Sequence, residues 1–268
     1  MEVHHHSHTS DPGLHRGRKK WTHYFWEFLM LFLAVFCGFF AEYQLEHKIE
    51  RDRAKELAKN FYEELKGDSA NMAIKVQSRI KQEKALIYLM KYFKDSSLTH
   101  VSKTFVLNFL YGINFRTPSL FEPRTVVLEQ LKNSGSLRYF KSNELQKLIG
   151  DLSVAIHNIN DRQALESAVR IEYINPLIVR HYDYDFDMQL SRDYDISVIK
   201  AAAEYELTNQ VIPFQFKASG KLDRQITINA LGFYGRAAVA STRLIHYNRY
   251  IELNTELLRV LRKEYHLK

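Results

Sequence analysis

A single cysteine in a chain of 268 residues leaves no partner for an intramolecular disulfide and no thiolate set for a Cys-rich zinc module. Five prolines and 10 glycines are too few for a collagen-like, β-solenoid or disordered chain. Neither charge sign dominates: 38 Lys+Arg stand against 31 Asp+Glu, and the basic residues are scattered among acids. That pattern argues against nucleic acid as a partner. No G-x-S-x-G, H-E-x-x-H, Walker or G-x-G-x-x-G sequence occurs, so the chain reads as a non-enzyme with no cofactor. What remains, 46% apolar and 26% charged, is the composition of an ordinary folded protein of one domain or two small ones.

One long apolar run dominates. Trp21 to Ala41 reads WTHYFWEFLMLFLAVFCGFFA, and from Phe28 onward its only polar side chain is Cys37. About 20 apolar residues at ~1.5 Å each match a bilayer core of roughly 30 Å. Trp21, Tyr24 and Trp26 lie at one end and Tyr43 at the other, as interfacial aromatics do. A cleaved secretory signal has the same basic-then-apolar order, but it needs small residues before the cut, where Phe39 stands. A lipoprotein signal needs a small residue before its cysteine, and Phe36 precedes Cys37. The run reads as a retained transmembrane helix.

Orientation turns on flanking charge. Arg16, Arg18, Lys19 and Lys20 precede the run, and Lys48, Arg51, Arg53 and Lys55 follow it. The counts are equal, but the first cluster abuts the run and the second starts two turns later among acids. The positive-inside rule then puts the N-terminus in the cytoplasm and the large domain outside.

Beyond Ala41 the pattern is helical nearly throughout. Leu45, Ile49, Leu57, Phe61 and Leu65 follow three-to-four spacing, predicting a charged amphipathic extension of the membrane helix. Gly67-Asp68 reads as a stop followed by a cap. Met72, Val76, Ile80, Ile87 and Met90 mark a second helix ending near Asp95, and a shorter one covers 101–111. Pro123 suits the first turn of a helix to Lys132, closed by Asn133-Ser134-Gly135. Ser142 with Glu144 starts a long helix to His181 that Pro176 should interrupt. Residues 182–194 read as a polar-aromatic loop, Asp195 as the cap of a helix to Leu207, and 211–216 as an ordered loop. No proline falls between Leu222 and Tyr265, where Gly232, Gly235, Ala237, Ala238, Ala240 and Ser241 leave the middle of a helix small enough for close approach. The expected fold is all-α: a flexible His-rich, basic N-terminus (1–20), a transmembrane helix (21–41), a helical stalk (42–66) and a helical-bundle extramembrane domain (67–268).

The run HHHSH followed by RKKWTHYFWEFLMLFLAVFCGFFAEYQLEH resembles a family of uncharacterised single-pass membrane proteins of Bacteroidota, across His4 to His47. LEQLKNSGSLRYFKSNEL, Leu128 to Leu145, is a weaker echo, a Ser-Gly-x-Leu segment between helices. The resemblance implies anchoring in a bacterial inner membrane and a helical extramembrane domain. It carries no activity, and it implies that the histidine tract is native.

Several residues are candidates for function. His4, His5, His6 and His8 could bind a transition metal through neutral imidazoles, although a terminal tract has no fixed geometry, and a solvated tract or a purification tag are the alternatives. Glu27 is the one acid in the apolar segment, and intramembrane acids are functional suspects. It lies about 9 Å below Trp21, where an interfacial position is also within reach. Asp183, Asp185 and Asp187 suggest a calcium loop, but Met188 and Tyr194 occupy the positions an EF-hand gives to Gly and Glu. Phe61, Phe93, Phe105, Phe109 and Tyr111 read as core, and Arg236, Arg243, Arg249 and Arg259 as a solvated face. Leu45, Ile49, Leu57, Phe61 and Leu65 are candidates for a homo-oligomer interface. The functional expectation is a membrane-anchored helical scaffold or interaction protein that self-associates, with the lipid bilayer and an unidentified protein as partners. The alternative is a subunit of an oligomeric ion-conducting or motor-like assembly using Glu27.

Overall fold

The computed structural model describes residues 21–267, and every regular element among them is helical, as the sequence pattern predicts. The first helix, α1, runs unbroken from Trp21 to Asp95. The chain forms two compact units, one ending at Asp52 and one starting at Arg53, and α1 contributes to both.

In the first unit α1 carries the apolar run with none of its 18-residue apolar window buried, so this helix is long and apolar enough to cross a membrane. Phe28, Phe32, Phe36 and Phe40 recur every four residues and stack along one face, their ring centroids 6.0–6.3 Å apart.

The second unit is a bundle of three long helical runs braced by short ones. The remainder of α1 is the first run. The second is α4 (Asn143–Val169) continued through a π-helical turn, Arg170–Ile174, into α5 (Asn175–His181). The third is α8 (Arg224–Phe233), two π-helical stretches over Tyr234–Ala240 and Thr242–Tyr247, and α9 (Asn248–Tyr265). Between them lie α2 (Lys103–Phe109), α3 (Val126–Asn133), α6 (Tyr184–Ser191) and α7 (Val198–Leu207). Three helix starts are capped by side chains: Ser102, Ser142 and Asp223 each accept the backbone N–H three residues on. Each such cap contributes about 1 kcal/mol.

Two hydrophobic cores result. One joins Leu57, Phe61 and Leu65 of α1 to Leu145, Ile149 and Leu152 of α4 and Leu253, Leu257 and Leu261 of α9. The other joins Leu86, Leu89 and Phe93 of α1 to Phe105 and Phe109 of α2, Ile174, Ile178 and Tyr182, and Leu231 and Val239. The order in which each run meets the two cores shows that α1 and α4–α5 run the same way and α8–α9 the opposite way.

Four expectations need correction. The helix does not stop at Gly67-Asp68. Gly67 gives room for the Arg124 guanidinium, whose Nη1 would lie 3.0 Å from a β-carbon there. Asp68 caps a neighbouring segment, accepting the Arg124 N–H at 3.0 Å and the Tyr250 hydroxyl at 2.9 Å. Burial of Leu65, Asp68 and Met72 around that glycine overrides its weak helix propensity. The helix expected from Pro123 begins at Val126, where Glu64 of α1 accepts the Val127 N–H at 3.0 Å. Residues 182–194 contain α6 instead of a loop throughout, because Phe186 and Leu190 reach the second core. Asp195 does not cap the next helix, which starts three residues after it, at Val198, with Ser197 in the cap position.

Candidate functional site

Between the two cores lies a polar layer. Arg79 of α1 and Glu166 of α4 form an ion pair at 2.7 Å, both side chains fully buried. Arg79 Nε also donates to the Ser119 carbonyl at 3.1 Å, and its Nη2 to the Tyr247 hydroxyl at 3.4 Å. Tyr247 in turn donates to the Ser119 carbonyl at 2.9 Å. On the other side the Tyr234 hydroxyl donates to Glu166 at 3.4 Å and accepts from Gln82 at 3.3 Å. Gln163 completes the layer, exchanging two hydrogen bonds of 2.9 and 3.1 Å with the backbone of Phe121.

The π-helical turns place these groups. Leu110–Asn114 supplies the Gly112 carbonyl to Gln82 and the Asn114 carbonyl to Arg170. The other three carry Arg170, Tyr234 and Tyr247. Each wide turn shifts the helical phase, so it re-aims side chains that a regular α-helix would send elsewhere. Pro176, at the start of α5, follows one of them; the interruption expected there takes the form of a wide turn.

Electrostatics keeps the donors as donors. Burial works against the Arg79 charge, but the Glu166 carboxylate outweighs it and holds the guanidinium above its ordinary value. Burial, with the charge of Glu166 adding, pushes the Tyr234 phenol up. Tyr247 also rises through burial, against the opposing pull of Arg79. With no exposed surface on the ion pair, no substrate reaches it. Its physical effect is to tie α1 to α4 at one level, since separating the partners would leave a charge buried and unpaired.

The sequence candidates fall elsewhere. Glu27 is half exposed on α1, with His23 Nε2 at 3.0 Å from its carboxylate, one helical turn away. His4, His5, His6 and His8 lie outside the described residues. Leu57, Phe61 and Leu65 are buried in their own chain's core, which removes them as oligomer contacts. Leu45 and Ile49 remain exposed, at 59% and 42%. The aspartates serve structure: Asp183 accepts the Gln215 N–H at 2.8 Å, Asp187 the Tyr182 hydroxyl at 2.6 Å, and Asp185 faces Lys217 at 3.5 Å. Phe61, Phe93, Phe105 and Phe109 are core, as read. Arg243 is not part of a solvated face, since it makes two bonds of 2.7 Å to Glu83. Among the described residues no cluster of three or more side chains is arranged to hold a metal.

The buried layer went unread although it left a signal. Arg79 and Gln82 stand in the stripe that runs through Met72, Val76, Leu86 and Phe93, and Gln163, Glu166 and Arg170 extend the stripe of Leu152, Ile156 and Ile159. Charged residues at core positions on two helices mark a layer of this kind. No family model, curated protein or solved structure matches the chain.

Proposed function

We propose that this protein is a single-pass, membrane-anchored helical scaffold that self-associates and presents its second unit as an interaction domain. The observation that carries the reading is the apolar window of α1, none of which is buried against its own chain. In water such a surface would be a severe liability, and in a bilayer it is at equilibrium. The aromatic ladder of Phe28, Phe32, Phe36 and Phe40 supports assembly within the bilayer, where association rests on packing of surfaces that fit. Leu45 and Ile49 would extend that contact beyond the span. The pairing of Glu27 with His23 near the aromatic end favours an interfacial role over an ion pathway. The basic residues ahead of Trp21 support a cytoplasmic N-terminus and a periplasmic C-terminal domain in a bacterial inner membrane, as does the resemblance to the Bacteroidota membrane proteins.

Extraction of membranes with alkaline carbonate tests the anchor. The protein should stay in the pellet; release into the supernatant contradicts the reading. Protease added to spheroplasts tests the side: the second unit should be digested, and protection until lysis would reverse the orientation.

A further inference from the structure

A pocket of about 290 Å³ opens between α1 and the segment after α3, lined by Arg53, Glu56, Leu57, Asn60, Gln130, Ser136 and Tyr139. Water occupies about 30 Å³ per molecule, so this volume holds a phosphate group and a short substituent. Its chemistry is unusual in one respect. Two guanidinium groups converge on a single neutral phenol: Arg53 Nη1 donates to the Tyr139 hydroxyl at 3.4 Å and Arg138 Nη2 at 3.5 Å. Arg53 makes no ion pair among the described residues, and its guanidinium carries five N–H donors, far more than the phenol oxygen can accept. The same two arginines, Arg138 first, pull the Tyr139 phenol below its ordinary value, which is the signature of a positive local field.

The loop beside the pocket is built to hold its shape. Gly135 takes a φ of +68°, a conformation open to glycine at little cost, and so turns the chain after α3. The Ser134 hydroxyl is fixed by the Gln130 carbonyl at 2.5 Å and by the Ser136 hydroxyl at 2.5 Å. This is the Asn-Ser-Gly-Ser-Leu segment that the sequence singles out and the scaffold reading leaves unused. The carboxamides of Asn60 and Gln130 add further donors on the same pocket wall. Glu56 is the opposing charge on the lining. It reduces the net positive charge, which disfavours a doubly charged free phosphate, and it offers an acceptor to an ammonium or hydroxyl on the ligand.

We propose that this pocket binds a phosphodiester bearing a short amine or hydroxyl head, with Arg53 of the lining on the phosphate, Arg138 reaching it from beside the lining at the Tyr139 hydroxyl, Tyr139 and Ser136 as further donors, and Glu56 on the head. A phospholipid headgroup and a soluble glycerophosphodiester share this chemistry. The test uses the full chain in a neutral maltoside detergent, titrated calorimetrically with inorganic phosphate, with glycerophosphoethanolamine and glycerophosphoglycerol, and with dioctanoyl phosphatidylethanolamine and phosphatidylglycerol. At least one diester should bind saturably, and Arg53→Gln and Arg138→Gln should each weaken it by about tenfold or more, as loss of a charge-assisted hydrogen bond does. Tyr139→Phe should weaken it less, and Arg249→Gln, on α9 and outside the pocket lining, not at all. Binding of both the soluble and lipid diesters supports the site and names the phosphodiester as sufficient; binding of the lipid forms alone supports it and names the membrane as the source. No saturable binding of any diester up to about 10 mM, binding of inorganic phosphate alone, or affinity unchanged in both arginine variants would overturn it. Arg53 and Arg138 are exposed, so their variants should keep the wild-type helical signal, and circular dichroism checks that.

Discussion

Replacing Glu166 by Leu strands the Arg79 guanidinium in a site with no exposed surface. The charge would keep only the Ser119 carbonyl at 3.1 Å and the Tyr247 hydroxyl at 3.4 Å as acceptors, both neutral. Removing one partner of a buried pair costs about 3–5 kcal/mol. For a domain of this size each kcal/mol lowers the melting temperature by roughly 2–4 °C, so Glu166→Leu should lower it by about 6–20 °C. The companion Arg79→Met with Glu166→Leu removes both charges and leaves Tyr247 donating to Ser119. It should sit within about 2 kcal/mol of the wild type, or above it, because a buried pair contributes little against an apolar isostere. Thermal unfolding of the full chain in detergent, followed at 222 nm, measures the wild type, the singles Glu166→Leu and Arg79→Met, and the double variant. A Glu166→Leu cost below about 1 kcal/mol, or a double variant equal to the sum of its singles, refutes the argument that the pair acts as one unit.

Other perturbations follow from other contacts. Gly112→Val pushes a side chain into space where even a β-carbon meets Ala85 Cβ at 3.2 Å and Leu86 N at 3.3 Å, so it should destabilise by about 1–3 kcal/mol, and an unchanged melt refutes the close approach. Glu206 is pushed up by burial, but hydrogen bonds from Lys81 and Tyr111 outweigh that and hold its carboxyl below the ordinary 4.5. Its stabilising contribution is therefore whole above pH 4.5 and is lost as the pH falls through the lower folded value. Glu206→Gln should cost less than about 1 kcal/mol at neutral pH, since both partners are partly exposed, and should flatten the acid limb of the melting curve; an acid limb as steep as the wild type's counts against the pairing. Glu27→Gln should leave carbonate resistance and particle mass unchanged, and loss of assembly would move Glu27 from the interface into a helix contact.

How far the sequence speaks depends on how local the cause is. Trp21–Ala41, the serine caps at 102 and 142 and the capping Asp223 are short-range signals, and of these the apolar run and the cap at 142 are legible in the residues alone, whereas the sequence pattern puts Ser102 inside its helix. Gly67 misled because local propensity says stop, whereas Arg124, far along the chain, needs the gap that glycine leaves. The 42–66 stripe was divided by tertiary context: Leu57, Phe61 and Leu65 meet α4 and α9, and Leu45 and Ile49 stay exposed. The wide turns that aim Tyr234 and Tyr247 at the ion pair have no periodicity of their own, so the buried layer emerges only once three helices are aligned.

Self-association through the apolar helix is the claim on which the scaffold reading stands, and the particle mass in mild detergent tests it most directly. Light scattering on the solubilised full chain, corrected for bound detergent, should give two or more times the chain mass, in a whole-number ratio. Leu45→Glu with Ile49→Glu should reduce that multiple while the helical signal persists. A wild-type particle that is already a single chain at working concentration contradicts the account.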